Sequence, residues 1–359
     1  MVSCFIRVMM LKIVLVWVLS LVAYQSTLQA QEDSKSLDAE KQLVGRIEQL
    51  DPALSELIDV DEKMEILASG HQWTEGPVWD PAANHLLYSD VPQNKIYCWS
   101  VKLGNSVFMD PSGSTGTNRV TEPGSNGLAL DQEGRLLVCD QGNRRVYRVE
   151  TDGTKTTLAD RYAGQRFNSP NDLVSTAAGE IYFTDPPYGL PDRSQRELDF
   201  CGVFRIEMDG SISLVTRELE FPNGVALSPD GKTLYVAQSH VPAPIYQAYS
   251  ISTDGKIDPA GKRFYDATQL ASAGDPGMPD GMAVDVRGNL WATGPGGVLI
   301  ISPAGKLLGR IMLGKATANC CFGGTAGSTL FITSTDRVGR IETKTKGLSF
   351  AKIPGQSVR

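Results

Sequence analysis

From about Met64 onward, short apolar runs alternate with turn residues roughly every eight to twelve positions, which predicts an all-β chain. Ile181-Tyr182-Phe183-Thr184-Asp185 shows the type, bounded by Gly179 before it and Pro186-Pro187 after it. The pattern recurs in longer units. Thr74-Glu75-Gly76-Pro77-Val78-Trp79 leads through a turn to His85–Asp90, and Ser125-Asn126-Gly127-Leu128-Ala129-Leu130 to Leu136–Asp140. Pro170-Asn171-Asp172-Leu173-Val174 leads to Ile181–Asp185, and Pro222-Asn223-Gly224-Val225-Ala226-Leu227 to Leu234–Ala237. Pro279-Asp280-Gly281-Met282-Ala283-Val284 leads to Leu290–Thr293, and a weaker sixth copy runs from Cys321-Phe322-Gly323-Gly324 to Leu330–Thr333. Third strands are expected at Lys95–Trp99, Arg145–Val149, Gly202–Ile206, Tyr246–Ile251, Gly297–Ile301 and Gly339–Glu342. A spacing of roughly 40–57 residues is that of four-stranded propeller blades. Six copies therefore predict a six-bladed β-propeller over residues 64–345, with a C-terminal strand or tail at 346–359. A solenoid would also repeat, but only closure into a ring brings equivalent positions together.

The first strand of each propeller blade lines the central channel, so the starts of those strands converge on one mouth. Glu75, Asn126, Asn171, Asn223 and Asp280 are expected to share such a layer. Carboxylates and amide carbonyls are hard oxygen donors, which suit Ca²⁺, Mg²⁺ or Mn²⁺ better than a sulphur-seeking metal. The competing explanation is that Asn-Gly and Asp-Gly merely build strand-entry turns. Glu75 argues against it, because Glu is a poor turn former yet stands in the same register.

Ahead of the repeats, Arg7 and Lys12 precede an apolar run from Ile13 to Ala23, and Leu28-Gln29-Ala30 completes the pattern of a secretory signal at residues 1–30. The run is about half of the ~20 residues a spanning helix needs. Export to the periplasm or medium is expected, with no membrane attachment after cleavage; an uncleaved anchor is the alternative. Within residues 31–63, Leu43, Val44, Ile47, Leu50, Leu54, Leu57 and Ile58 recur at helical spacing around a break at Asp51-Pro52. This predicts a helical or extended N-terminal segment over residues 31–63, with a short helix favoured by the spacing, serving as a pro-segment, a cap or a tether.

The net charge of −7, which becomes −9 once Arg7 and Lys12 leave with the signal, comes without any basic stripe and argues against a nucleic-acid partner. Five of the six cysteines follow the signal, with no CxxC, and read as buried thiols at strand positions with one disulfide possible. There is no GxSxG elbow and no HExxH motif. His71, His85 and His240 are too scattered for a metal cluster, although the loop carrying His240 can reach the channel mouth. Gly294–Gly297 lies between two strands and reads as a tight turn, since a phosphate cradle needs a helix start.

Several stretches together resemble the senescence-marker-protein/gluconolactonase family, which includes regucalcin. They are Trp73-Thr74-Glu75-Gly76-Pro77-Val78-Trp79, Arg166-Phe167-Asn168-Ser169-Pro170-Asn171-Asp172, Phe183-Thr184-Asp185-Pro186-Pro187-Tyr188-Gly189 and Pro222-Asn223-Gly224. Pro279-Asp280-Gly281-Met282, Ala292-Thr293-Gly294-Pro295-Gly296-Gly297 and Asn319-Cys320-Cys321-Phe322-Gly323-Gly324 continue the match over nearly all of residues 64 to 342. The resemblance implies a six-bladed propeller, one catalytic divalent cation and hydrolysis of sugar lactones. It also implies that Glu75, Asn171, Asn223 and Asp280 hold the metal, with Ca²⁺ first and Mg²⁺, Mn²⁺ or Zn²⁺ as alternatives. Asn168 and Arg166 match substrate-contacting positions, and Asn126 belongs beside the ligands or against substrate.

A lactone needs its carbonyl polarised and a water activated, and one cation can serve both needs. Asp280 is the expected general base, with Glu75 purely a ligand. Asn168, Arg166 and Tyr188 offer hydrogen bonds to sugar hydroxyls. An esterase or phosphotriesterase on the same metal site, or a non-catalytic ligand-binding propeller, are the other readings that the fold accommodates.

Overall fold

The computed structural model describes residues 41–116, 122–253 and 255–348. The secretory pattern at 1–30 and the tail beyond Leu348 lie outside the described residues. Among the described residues, six sheets of four or five strands follow one another along the chain, with a two-stranded hairpin, Arg161–Tyr162 with Gln165–Arg166, after the second. Blade I comprises Thr74–Asp80, His85–Asp90, Lys95–Ser100 and Gly104–Met109; blade II comprises Ser125–Leu130, Leu136–Asp140, Arg145–Val149 and Lys155–Ala159. Blade III comprises Leu173–Ser175, Ile181–Asp185, Gly202–Ile206 and Ile212–Thr216, and blade IV Pro222–Leu227, Thr233–His240, Ala243–Ser250 and Lys262–Asp266. Blade V comprises Met282–Val284, Leu290–Gly294, Gly297–Ile301 and Leu307–Met312. Blade VI is built from both ends of the domain: Asn319–Gly323, Thr329–Ser334 and Arg337–Glu342 are completed by the early strand Met64–Ser69. That pairing closes the ring, as the six-bladed reading requires.

The inner strands are continuous apolar runs because neighbouring blades cover both of their faces. Every residue of Ile181–Asp185 is buried. Between blades III and IV, Tyr182 and Val203 pack with Val225, Leu234, Val236 and Tyr249, and between blades VI and I Trp79 stacks on Phe331 with centroids 5.2 Å apart. Outer strands differ. Gly104–Met109 is exposed along almost its whole length and carries little apolar signal, whereas Leu307–Met312 is largely buried beneath Arg46–Gln49. All five cysteines after the signal are free thiols, and Cys139, Cys201 and Cys320 are buried.

The helical expectation for the segment before the ring is not met. Leu43–Val44 and Arg46–Gln49 are strands: the first pairs with Glu65 and Met64 on the outer edge of blade VI, the second with Gly309–Met312 on the outer edge of blade V. Gly45, at φ +83°, makes the step between the two edges, where an added Cβ would lie 2.8 Å from the Met312 carbonyl oxygen. Two unpaired sheet edges offer the backbone hydrogen bonds that a short isolated helix in water supplies only marginally. Only Pro52–Glu56 coils, as a 3₁₀ turn capped by Asp51, and it delivers Leu54, Leu57 and Ile58 into a core with Trp291, Ile300 and Ile341. The described part of this segment packs on the edges of blades V and VI.

Candidate functional site

The glycines after the candidate residues decide between turn-making and site-building. Gly127, Gly224 and Gly281 are not in the left-handed region that a turn glycine exploits. An added Cβ at Gly127 would stand 2.7 Å from the Asn171 carbonyl oxygen, at Gly224 2.2 Å from that of Asp280, and at Gly76 2.0 Å from that of Asn126. These positions are glycine because the next blade's first strand passes against them. Each close approach sets one candidate side chain beside the next around the ring.

A hydroxyl on alternate blades fixes the spacing further. Ser89 Oγ donates to the Asn126 carbonyl at 2.8 Å, Thr184 Oγ1 to that of Asn223 at 2.7 Å, and Thr293 Oγ1 to that of Ala318 at 2.8 Å. The strips leading into the first strands are tied down by buried acids. Asp90 accepts the Gln72 and Trp73 N–H groups, and Asp185 those of Asn168 and Ser169 at 2.7 and 2.8 Å.

The register also shows what stands in the sixth place. The N–H groups of Asn171, Asp280 and Ala318 donate to Thr184, Thr293 and Thr333 respectively, so Ala318 occupies the position of the candidate ligands in blade VI. Asn319 then falls where the other blades carry glycine, as does Asp172 in blade III. The Asn319 amide, from a blade three apart in the ring, offsets part of the rise that burial imposes on the Asp172 carboxyl. The sequence copy placed at Cys321 was therefore read late. The recurring Thr in Phe183-Thr184, Ala292-Thr293 and Ile332-Thr333 is the signal that sets the register.

Glu75, Asn126, Asn171 and Asn223 are all buried, and Asp280 is partly so. Burial, then the charge of Asp172, pushes the Glu75 carboxyl up to about 8 despite hydrogen bonds from Trp73 Nε1 and the Gly76 N–H. Burial and the charges of Glu75 and Asp172 push Asp280 well above the carboxylate range. Asp172 is raised to about 7, chiefly by burial. Glu122, absent from the sequence reading because it lies in no repeat, adds its charge to both Glu75 and Asp280 and is itself pushed up to about 6 by burial. Three or four acids thus crowd one mouth with no cationic side chain among the groups that shift them.

Asn171 Oδ1 and Asp280 Oδ1 are buried without any hydrogen-bond partner, a state that costs each oxygen on the order of 1–3 kcal/mol unless something meets it. Among the described residues no three His, Cys, Asp or Glu side chains form a metal-holding group. The donors present are instead two carboxylates and amide oxygens, a set that fits a hard divalent cation. Glu75, Asn171, Asn223 and Asp280 are the residues that would hold it.

Around this centre, Asn168 commits both amide N–H groups, to the carbonyls of Asp185 at 3.0 Å and Phe200 at 2.9 Å, which leaves its Oδ1 unpartnered. Gln141, not singled out in the sequence, is fully buried against Gly189 with neither amide atom partnered. Tyr188 stacks on Phe221, which stacks on His240, in a row of rings 6.1 and 5.6 Å apart. Burial, then the charge of Asp280, pushes the Tyr188 hydroxyl above its ordinary range. Arg166 turns the other way, its side chain donating to the Asn143 carbonyl at 2.9 Å beside Arg144 and its backbone N–H to Glu197. His71 and His85 serve structure, on Asp90 and Asp80.

Fold and site together define a six-bladed propeller with an acidic, amide-lined channel mouth, the architecture of propeller hydrolases. The family model for the SMP-30/gluconolactonase/LRE-like region matches residues 73–336, and the chain belongs to that family. It is 40% identical over 313 residues to a gluconolactonase of Zymomonas mobilis, covering 85% of this chain and 88% of that one. A pentonolactonase of Haloferax volcanii is 27% identical over 269 residues, covering 72% and 80%. The solved structure of a gluconolactonase of Xanthomonas campestris is 32% identical with a TM-score of 0.73, covering 84% of this chain and 97% of the other.

Proposed function

We propose that this chain hydrolyses a sugar lactone, an aldonolactone, to the free aldonic acid, with one divalent cation (Ca²⁺ first) held by Glu75, Asn171, Asn223 and Asp280. The lactonase class itself follows from the relatives, which are named for lactone hydrolysis. The observation that carries the metal reading is the pairing of unpartnered, buried Asn171 Oδ1 and Asp280 Oδ1 with a mutually repelling Glu75 and Asp280. A single cation satisfies the oxygens and offsets the repulsion. When bound, such a cation supplies Lewis acidity toward the lactone carbonyl and toward water.

The rest of the chemistry belongs to the side chains. Asp280 has one carboxylate oxygen to spare for a proton and takes it from the attacking water. Asn168 Oδ1 accepts from a sugar hydroxyl, and its two donated bonds hold it in that orientation. The unpartnered Gln141 amide offers both a donor and an acceptor to the polyol. Asn126 stands between Glu75 and Asn171 around the ring, beside the ligands. Tyr188, close enough to feel the charge of Asp280, offers its hydroxyl to the polyol, whereas the Arg166 side chain is held by the Asn143 carbonyl.

Proton release from a panel of pentono- and hexonolactones, with and without chelator, tests this reading. The expected result is acid production that chelator abolishes and added Ca²⁺ restores. Metal-independent ligand binding without acid production would favour a binding propeller, and hydrolysis of aryl esters or phosphotriesters in place of lactones would favour the esterase reading.

A further inference from the structure

Ser239 sits near the end of the second strand of blade IV, its N–H fixed by the Phe221 carbonyl at 3.0 Å. A hydroxyl has one proton to give and two lone pairs to offer. Here the proton and a lone pair are both used. Ser239 Oγ donates to the carbonyl of Pro279, the residue immediately before Asp280. It accepts from Asn223 Nδ2 at 3.0 Å. One side chain therefore joins the first strand of blade IV to the entry of blade V.

The consequence lies in the Asn223 amide. An asparagine can rotate its amide so that either nitrogen or oxygen faces a given direction, and a cation accepts only the oxygen. With Nδ2 committed to Ser239, Asn223 Oδ1 is left as the atom that faces away from it. A flipped amide would set Oδ1 against Ser239 Oγ, whose only proton already goes to Pro279. We propose that Ser239 is a positioning residue: it locks the orientation of the Asn223 amide and, through Pro279, ties that ligand to the backbone carrying Asp280. The inference rests on the reading of Asn223 and Asp280 as cation ligands. Nothing in the sequence motif marks it, because Ser239 lies beyond the apolar run that identifies its strand.

The test is calorimetric titration of Ca²⁺ into the chelator-treated full chain, with melting of the metal-free protein measured alongside. Ser239→Ala is expected to weaken binding about 10–100-fold, as loss of a group that orients a ligand commonly does. Ser239→Thr, which keeps the hydroxyl on a partly exposed position, is expected to restore it. Metal-free melting should stay within ~2 °C of wild type, since a single partly exposed hydroxyl contributes little to stability. In an Asn223→Ala background, Ser239→Ala should cost almost nothing more, because the amide it orients is gone. Unchanged Ca²⁺ binding in Ser239→Ala overturns the proposal, as does an equal loss in the presence and absence of Asn223. So does failure of Thr to rescue with a matching fall in metal-free melting. A wild-type chain that binds no divalent cation sinks the metal reading and Ser239 with it, whereas tight wild-type binding unaltered by Ser239→Ala sinks Ser239 alone.

Discussion

Asp280→Asn is expected to lower turnover of a sugar lactone by roughly 10²–10⁴-fold at saturating Ca²⁺, the range that loss of a positioned general base covers. The amide keeps an oxygen for the cation, so metal binding should survive in weakened form. The basicity is what disappears. Glu75→Gln should behave differently, because both Glu75 oxygens already accept hydrogen bonds, from Trp73 and Gly76, which suits a ligand rather than a base. Its main effect falls on metal affinity, with turnover largely recovered at high Ca²⁺. Parallel calorimetry and kcat measurements on the two variants separate the roles. Near-normal turnover of Asp280→Asn with metal bound would remove Asp280 from the base position.

The second large effect concerns stability in the absence of metal. Glu75 and Asp172 have folded-state values of about 8 and about 7, and Asp280 is raised as well. Unfolded carboxylates release their protons near pH 4, so between pH ~4 and ~8 the folded chain binds more protons than the unfolded one. Stability of the chelated protein must then fall as pH rises through that window and level off above it. Several kcal/mol are involved, equivalent to a drop of ~5–10 °C in melting temperature between pH 5 and pH 8. On the proposed metal reading, Ca²⁺ would bind the ionised form, and its addition should remove most of this slope. A smaller slope should persist from Asp185, raised by burial to about 7 and placed beneath the 168–169 strip. A pH-independent melting temperature in chelator, or a slope that Ca²⁺ leaves untouched, would contradict this electrostatic picture.

The ring was legible because propeller blades bury both faces of their inner strands, which leaves unbroken apolar runs at a fixed period. Strands such as Arg145–Val149 and Gly202–Ile206 fall where the sequence sets them. An outer strand such as Gly104–Met109 was not legible, since it faces water and answers to no pattern. The segment from Leu43 differs for another reason: its apolar spacing suits a helix, but the partners that decide its form are the blade VI edge at Met64 and Glu65 and the blade V edge, 262 residues away in the pair Glu48 and Arg310.

The candidate site divides in the same way. Glu75, Asn223 and Asp280 repeat with the blades and could be read from register alone. Asp172 and Asn319 occupy glycine positions, and their meeting depends on the empty space that Gly127 and Gly281 leave beside them. Gln141, Glu122 and Ser239 lie at strand ends or in loops, where only folding decides what they touch. Their common feature is a buried or fully committed polar group that has no periodic counterpart.

Diffraction from crystals grown with Mn²⁺ in place of Ca²⁺ bears most directly on the central claim. A single anomalous peak is predicted at the channel mouth, within coordination distance of Glu75, Asn171 Oδ1, Asn223 Oδ1 and Asp280 Oδ1. No peak there, or one held by other residues, would contradict it.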